Sequence, residues 1–136
     1  MSILDKEIIL DSQAFLVSET NEKGIIRFAN DDFCKYAGFS LDELVGKPHN
    51  VVRHKDMPRA AFKDLWDTVK SGKKWKGFVK NSTRAGEYYW VFATVYPFTS
   101  CDGKKGYISC RRKISTQEAE KYTALYKDMK AQEKKR

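Results

Sequence analysis

Three strand-like runs joined by tight turns occupy the second half of the chain, and they constrain the fold more than any other feature. Trp75 to Thr83 alternates, with Trp75, Gly77, Val79 and Asn81 on one face and Lys76, Phe78, Lys80 and Ser82 on the other. Arg84-Ala85-Gly86 turns the chain into Glu87 to Phe98, a run rich in Tyr, Trp, Val and Phe. Asp102-Gly103 is a strong hairpin turn, after which Gly106 to Ile114 returns.

The first half supplies two shorter strands and several helices. Ala14 to Ser18 and Ile25 to Ala29 read as a hairpin across Asn21-Glu22-Lys23-Gly24. Asn30 is a good cap for a helix over Asp31 to Ala37, with Gly38 as its stop. Ser40-Leu41-Asp42-Glu43 is a capping-box pattern that opens another short helix ending near Gly46. Phe62, Leu65, Trp66 and Val69 fall on one helical stripe, which predicts a longer helix over 59–70 with Asp56 as cap and Pro58 in its first turn. Ser115-Thr116-Gln117-Glu118 opens a terminal helix whose Tyr122, Leu125, Tyr126 and Met129 form an apolar stripe. Residues 1–13 are a weakly amphipathic lead-in with room for a short helix. The order predicts one α+β domain over 14–115, with the lead-in before it and a helix with a basic tail over 116–136.

At 136 residues, with 41% apolar and 32% charged side chains, the chain can bury a core without disulfide or metal staples. No apolar run approaches the length of a bilayer span and no secretory signal is visible. Cys34, Cys101 and Cys110 lack CxxC spacing, so reduced thiols in the cytoplasm are expected, and neither His stands at zinc spacing from a Cys. The net charge of +8 raises nucleic acid as a partner. Its positive residues are spread out, crowding only at Lys130, Lys134, Lys135 and Arg136, and no helix shows a continuous basic face with base-reading residues. Nucleic acid is therefore not expected; the excess charge suits a polyphosphate ligand or an acidic partner.

A few residues stand out as carriers of chemistry. Asn81 shares its face with Trp75 and Val79, so its amide is either buried and paired with the edge of a heterocyclic ring, or bonded to backbone at the strand end. Trp66 is either core or a stacking surface for a planar ligand. Arg53 and His54 precede a helix start, where they either hold a phosphate or carboxylate or sit in a solvated loop. No Gly-rich phosphate loop, GxSxG elbow, HExxH or Cys-His pair with catalytic placement is present, and the chain is not expected to be an enzyme.

The order of elements resembles a PAS domain, a five-stranded antiparallel sheet with short helices enclosing a ligand cavity. Asn30-Asp31-Asp32-Phe33, the run Gly46 to Pro58, Phe62 to Trp66, Trp75-Lys76-Gly77, Lys80-Asn81 and Tyr89-Trp90-Val91 resemble the flavin-binding PAS domain of aerotaxis receptors. The likeness is closer still to the small PAS proteins of bipartite energy taxis, the CetB type. It implies FAD held non-covalently, with Trp66 beside the flavin and Asn81 on the polar edge of its ring. It also implies supporting roles for His49, Asn50, Arg53, His54 and Asp56, and places Asn30 beside the cavity. The cysteine motif of photoactive flavin relatives is absent, since the corresponding segment reads His49-Asn50-Val51-Val52-Arg53. Physics alone does not separate FAD from FMN here.

The function implied is a cytoplasmic redox or energy sensor that signals to a membrane-bound, chemoreceptor-like partner, with recruitment to the inner membrane through that partner and the flanking helices as a route to a homodimer. Two rival readings are a haem-binding gas sensor with His49 or His54 on iron, and a cofactor-free PAS interaction module. A flavin reductase ranks behind them, because nothing in the chain positions a substrate.

Overall fold

The computed structural model describes residues 6–134; residues 1–5 and 135–136, the start of the lead-in and the end of the basic tail, lie outside the described residues. Five strands form one antiparallel sheet: β1 Phe15–Asn21, β2 Ile26–Ala29, β3 Trp75–Ser82, β4 Tyr88–Thr99 and β5 Lys105–Lys113. Their spatial order is β2-β1-β5-β4-β3, so the last strand pairs with the first and places the connecting helices together on one face. The helices are α1 Asp31–Ala37, α2 Leu41–Leu44, α3 Arg59–Lys70 and α4 Thr116–Lys134, with a 3-10 turn at His49–Val52. The expected α+β class and the five-stranded sheet with short helices are both observed.

Local chemistry accounts for most boundaries. Asn30 caps α1 by accepting from Phe33 N–H at 3.0 Å, and Gly38 ends it in the left-handed conformation at φ 80°. The same Asn30 side chain accepts from Val17 N–H and donates to Phe15 carbonyl oxygen, riveting α1 to β1. Ser40 and Glu43 complete the expected capping box, as do Ser115 and Glu118 at the start of α4.

Two expectations differ from the structure. The lead-in is not helical over 6–13: it runs beside Tyr88, with Ile8 N–H donating to Tyr88 carbonyl oxygen and Tyr88 N–H to Lys6 carbonyl oxygen. Nor does Asp56 cap α3, and Pro58, expected in the first turn, stands just before it at the cap position in extended backbone. The Asp56 carboxylate is drawn to Lys80 Nζ at 2.9 Å, and the N–H groups of Arg59 and Ala60 go instead to Glu133 of α4.

Over β3 and β4 the sheet is covered on both faces, which explains why apolar residues occupy both sides of β4. Its inner face meets α3 and the 3-10 turn. Its outer face meets α4, where Tyr122 stacks on Phe78 at 4.1 Å and Tyr126 lies along Trp90 at 6.0 Å.

Candidate functional site

Period-two alternation sends Ser18 and Thr20 of β1, Val79 and Asn81 of β3, Ala93 and Val95 of β4, and Tyr107, Ser109 and Arg111 of β5 to the inner face. Between them and α3 lies a cavity walled by Phe62, Leu65 and Trp66, with His49, Asn50 and Arg53 along its rim. The space open to a water-sized sphere is about 80 Å³. The site is thus a slot between the sheet and one helix, apolar on the helix side, with its polar groups on the sheet side among Val79, Ala93 and Val95.

Arg111 is the feature that sequence reasoning missed. It lies between Leu16 of β1 and Ala93 of β4 in the strand register, and the small Ala93 leaves room for a long side chain within the sheet face. Only 6% of it is exposed, yet it has no carboxylate partner among the described residues. Its guanidinium donates to Ser18 Oγ at 3.2 Å and to His49 Nε2 at 3.1 Å, and it lies 5.3 Å from the centre of the Phe33 ring. Its Nε and the neighbouring Ser109 Oγ are buried without a hydrogen-bond partner among the described residues. Burial pushes the Arg111 guanidinium down to about 10, so it stays charged near neutral pH. The alternation of β5 was a signal that could have found it, because the strand has a charged residue on the inner face beside Ser109 and Tyr107.

His49 completes this cluster. A guanidinium only donates, so His49 Nε2 is the acceptor and the ring proton sits on Nδ1. The Ser18 hydroxyl is 2.9 Å from the same nitrogen, and Phe33 meets the ring edge-on at 5.7 Å. Burial, then the Arg111 charge, pushes the imidazole down to about 3. It is neutral throughout the physiological range.

Asn81 is 3% exposed, and its amide nitrogen has one long contact, 3.5 Å to the Tyr89 hydroxyl. Its backbone bridges to Arg53, which brings the rim segment against β3. Arg53 stacks its guanidinium 3.6 Å from the Phe62 ring centre, at the mouth. Trp66 meets Tyr107 edge-on at 5.5 Å, and its far edge lies over Gly24, where a Cβ would approach within 3.1 Å. Gly24 also has φ 81°, so glycine serves both the hairpin turn and the room for the indole.

The eight residues singled out from the sequence therefore divide. His49, Asn50, Arg53, Trp66 and Asn81 line the cavity. Asn30 is engaged at the α1 cap. His54 and Asp56 belong to the opposite side of the rim segment. His54 is buried against Tyr88 at 5.8 Å and its Nδ1 accepts from Asp56 N–H at 3.0 Å, while Asp56 pairs with Lys80. Alternating face placement along the extended residues 53 to 54 separates Arg53 from His54 in this way.

Comparison with known proteins agrees with this architecture. The profile of the PAS fold matches residues 26–111. The chain is 43% identical over 116 residues to the aerotaxis receptor of Escherichia coli (strain K12), covering 85% of this chain and 23% of that protein. It is 26% identical over 108 residues to a nitrogen fixation regulatory protein of Klebsiella pneumoniae, covering 79% of this chain and 22% of that one. The chain thus spans under a quarter of the length of these curated relatives. Among solved structures, a light-oxygen-voltage domain from work on a flavin analogue superposes with a TM-score of 0.67 at 17% identity, covering 90% of this chain and 87% of that one. The dark structure of the blue-light photoreceptor Aureochrome1 LOV gives 0.65 at 19% identity, covering 89% and 86%. A five-stranded sheet closed over a slot, and a matching profile from β2 to the end of the polar row on β5, place the chain in one family: it belongs to the PAS fold.

Proposed function

We propose that this PAS domain binds FAD non-covalently in the slot between sheet and α3, senses redox status, and reports it to a chemoreceptor-like signalling partner. The observation that carries this is the set of unpartnered polar atoms in a slot otherwise walled by aromatic and aliphatic side chains. Among the described residues Arg111 Nε and Ser109 Oγ are buried without partners, and the Asn81 amide has a single long contact. Leaving such groups unmatched is costly, and a heterocycle with alternating donors and acceptors along one edge would match them. The 43% identity to an aerotaxis receptor, and the flavin analogue studied in one structural neighbour, support the same choice.

The residues divide the work by their chemistry. Trp66, Phe62 and Leu65 supply the apolar wall and exclude water. Asn81 offers a donor and an acceptor to the ring edge, and Ser109 a hydroxyl able to act as either. Arg111 holds a fixed positive charge in a dry site, where it favours a ligand state that gains negative charge. Asn50 and Arg53 at the mouth would hold the phosphates of the cofactor's tail. When bound, the flavin supplies a redox couple whose charge and proton count change on reduction. Asn81 then has cause to re-pair, and β3 carries that change to Phe78 and the outer face.

Both histidines weigh against the haem reading. His49 Nε2 is taken by Arg111 and Ser18, and His54 lies outside the cavity with its Nδ1 bonded to backbone. The first test is an absorption spectrum of the purified protein, then identification of the cofactor released on denaturation. A yellow protein releasing FAD is expected. A colourless protein that takes up no FAD from excess would overturn the assignment and leave a PAS interaction module.

A further inference from the structure

A second cleft opens on the outer side of the sheet, between α4, the rim segment at Lys55 and strands β3 and β4, with a volume of about 580 Å³. Its walls carry five lysines: Lys55, Lys80, Lys127, Lys130 and Lys134. One carboxylate, Asp56, faces them, and it is spent on Lys80 at 2.9 Å. Lys130 donates to the Lys55 carbonyl oxygen. Lys55, Lys127, Lys130 and Lys134 have no carboxylate within ion-pair distance among the described residues. The floor is aromatic, formed by Trp90 and Tyr126 lying along one another at 6.0 Å. Four unneutralised positive charges around an aromatic floor repel one another, and an anionic occupant would relieve that repulsion.

We infer that this cleft is a docking site for an acidic segment of the signalling partner, with carboxylates for the lysines and an apolar residue for the aromatic floor. Charge complementarity sets the occupant's sign, and the arrangement sets its class. Lys127, Lys130 and Lys134 follow one another along a single face of α4 and spread their charge over ~10 Å. A line of separated charges suits a chain with spaced carboxylates better than one compact phosphate. Lysine heads also lack the planar fork that clasps a phosphate on two sides, and the lining contains no arginine. The one nearby helix N-terminus that would favour phosphate, that of α3, is already occupied by the Glu133 carboxylate. The cleft shares the rim segment and β3 with the inner cavity, so a partner seated there touches the elements that hold Arg53 and Asn81.

This names the chemistry of the partner in the proposed signalling role and rests on that role, but it is tested without a cofactor. The probe is a fluorescein-labelled peptide of alternating glutamate and leucine, followed by fluorescence anisotropy at low and high salt. Saturable, salt-sensitive binding is expected. Lys127→Glu with Lys134→Glu is expected to weaken it about tenfold. Lys104→Glu with Lys105→Glu, at the exposed β4–β5 turn, makes the same change in net charge and is expected to leave it nearly unchanged. Circular dichroism of both double variants checks that they fold. Equal loss in the two variants would reduce the effect to net charge and overturn the inference. So would absence of peptide binding, or binding of inorganic tripolyphosphate at the α4 lysines in its place. The flavin spectrum of the same samples separates the two proposals: peptide binding by a protein that takes up no flavin would leave the cleft standing and the flavin reading fallen.

Discussion

The Tyr126 hydroxyl donates to the Phe78 carbonyl oxygen at 2.6 Å, tying the exit helix to β3 three residues from Asn81. Strand alternation puts Phe78 on the outer face and Asn81 on the inner, so one strand is read from both sides. Tyr126 is 7% exposed, and burial, with Tyr122 beside it, pushes its phenol up to about 12. An unfolded tyrosine ionises near 10, so above that pH the unfolded state releases a proton that the folded state keeps. Stability is therefore complete below about pH 10 and falls between about 10 and 12, by at most ~2–3 kcal/mol from this group. Tyr126→Phe is expected to cost ~1 kcal/mol at pH 7 and to flatten that alkaline decline. Urea denaturation of both proteins at pH 7, 10 and 11 decides it; parallel declines would deny Tyr126 its part.

Glu133 forms the other tie, accepting from Arg59 and Ala60 N–H at 3.2 and 2.9 Å. A residue near the end of α4 thus caps the helix that carries Trp66. Those N–H groups, Ala60 first, hold the Glu133 carboxyl below the usual carboxylate range. Its contribution is accordingly present above the unfolded pKa near 4.3 and lost as the pH falls through the lower folded value. Glu133→Ala is expected to cost ~0.5–1 kcal/mol at pH 7. Hydrogen exchange of the first turn of α3 should quicken in the variant. Unchanged exchange there would show that α4 does not hold that helix start.

Much of this was legible in the chain because it was written in local chemistry. The strands of the second half, the caps at Asn30, Ser40 and Ser115, and the stripe on α3 depend on residues close in sequence, and each appears as expected. Strand alternation singled out Asn81, while the helical stripe left Trp66 as core or stacking surface and the family resemblance put it at the cavity; both line the slot. What escaped depends on long-range pairing. Asp56 looks like a cap for α3 until Lys80, on a distant strand, draws its carboxylate away and Glu133 replaces it. Arg111 looks like one more basic residue among many, and only the pairing of β5 between β1 and β4 shows it as a buried charge. The cleft lined by Lys55, Lys80 and α4 is assembled from three separate segments, each of which reads as an ordinary charged surface.

Gly24 links the β1–β2 turn to the cavity wall. Alanine there would have to adopt φ 81° and would bring its Cβ to 3.1 Å from two atoms of the Trp66 ring. Gly24→Ala is expected to cost ~1–2 kcal/mol, from backbone strain and from displacement of the indole. The displacement is visible separately from the strain, as a change in tryptophan fluorescence that Trp66→Phe abolishes. A stable variant with unaltered fluorescence would mean that the indole is not held against this turn.

His49 gives the protein an acid limit. Its folded pKa lies at about 3, below the unfolded value near 6.5, so the unfolded state takes up a proton first as the pH falls. The stability from a neutral His49 is complete above about 6.5 and lost progressively towards 3. The groups facing it are Ser18, Arg111 and the Phe33 ring, with Arg53 nearby, and none is anionic to soften the loss. The full shift corresponds to somewhat under 5 kcal/mol, and because His49 is only half-buried the expected loss is ~2–3 kcal/mol. His49→Gln keeps a hydrogen-bonding acceptor without the titration. Its stability should change less than that of the parent between pH 7 and 5; equal slopes would place the acid sensitivity elsewhere.

Arg111 sets stability against function. Its guanidinium is desolvated and, among the described residues, has no carboxylate partner and leaves Nε unpaired. Replacing it with a residue of similar length and no charge removes that cost, while Ser18 and His49 keep each other as partners at 2.9 Å. Arg111→Met is therefore expected to be more stable than the parent without cofactor, by ~1–2 kcal/mol. The proposed flavin site would pay in the opposite direction. A positive charge in a dry slot favours the electron-rich form of the ligand, so its loss should lower the flavin midpoint potential by ~50 mV or more. Arg111→Lys keeps the charge and should recover most of the potential but not the bonds to both Ser18 and His49. Chemical denaturation measures the first effect and a spectroscopic redox titration the second. A destabilised Met variant would mean that the guanidinium is paid for within the fold, and that nothing in the cavity is owed to a ligand.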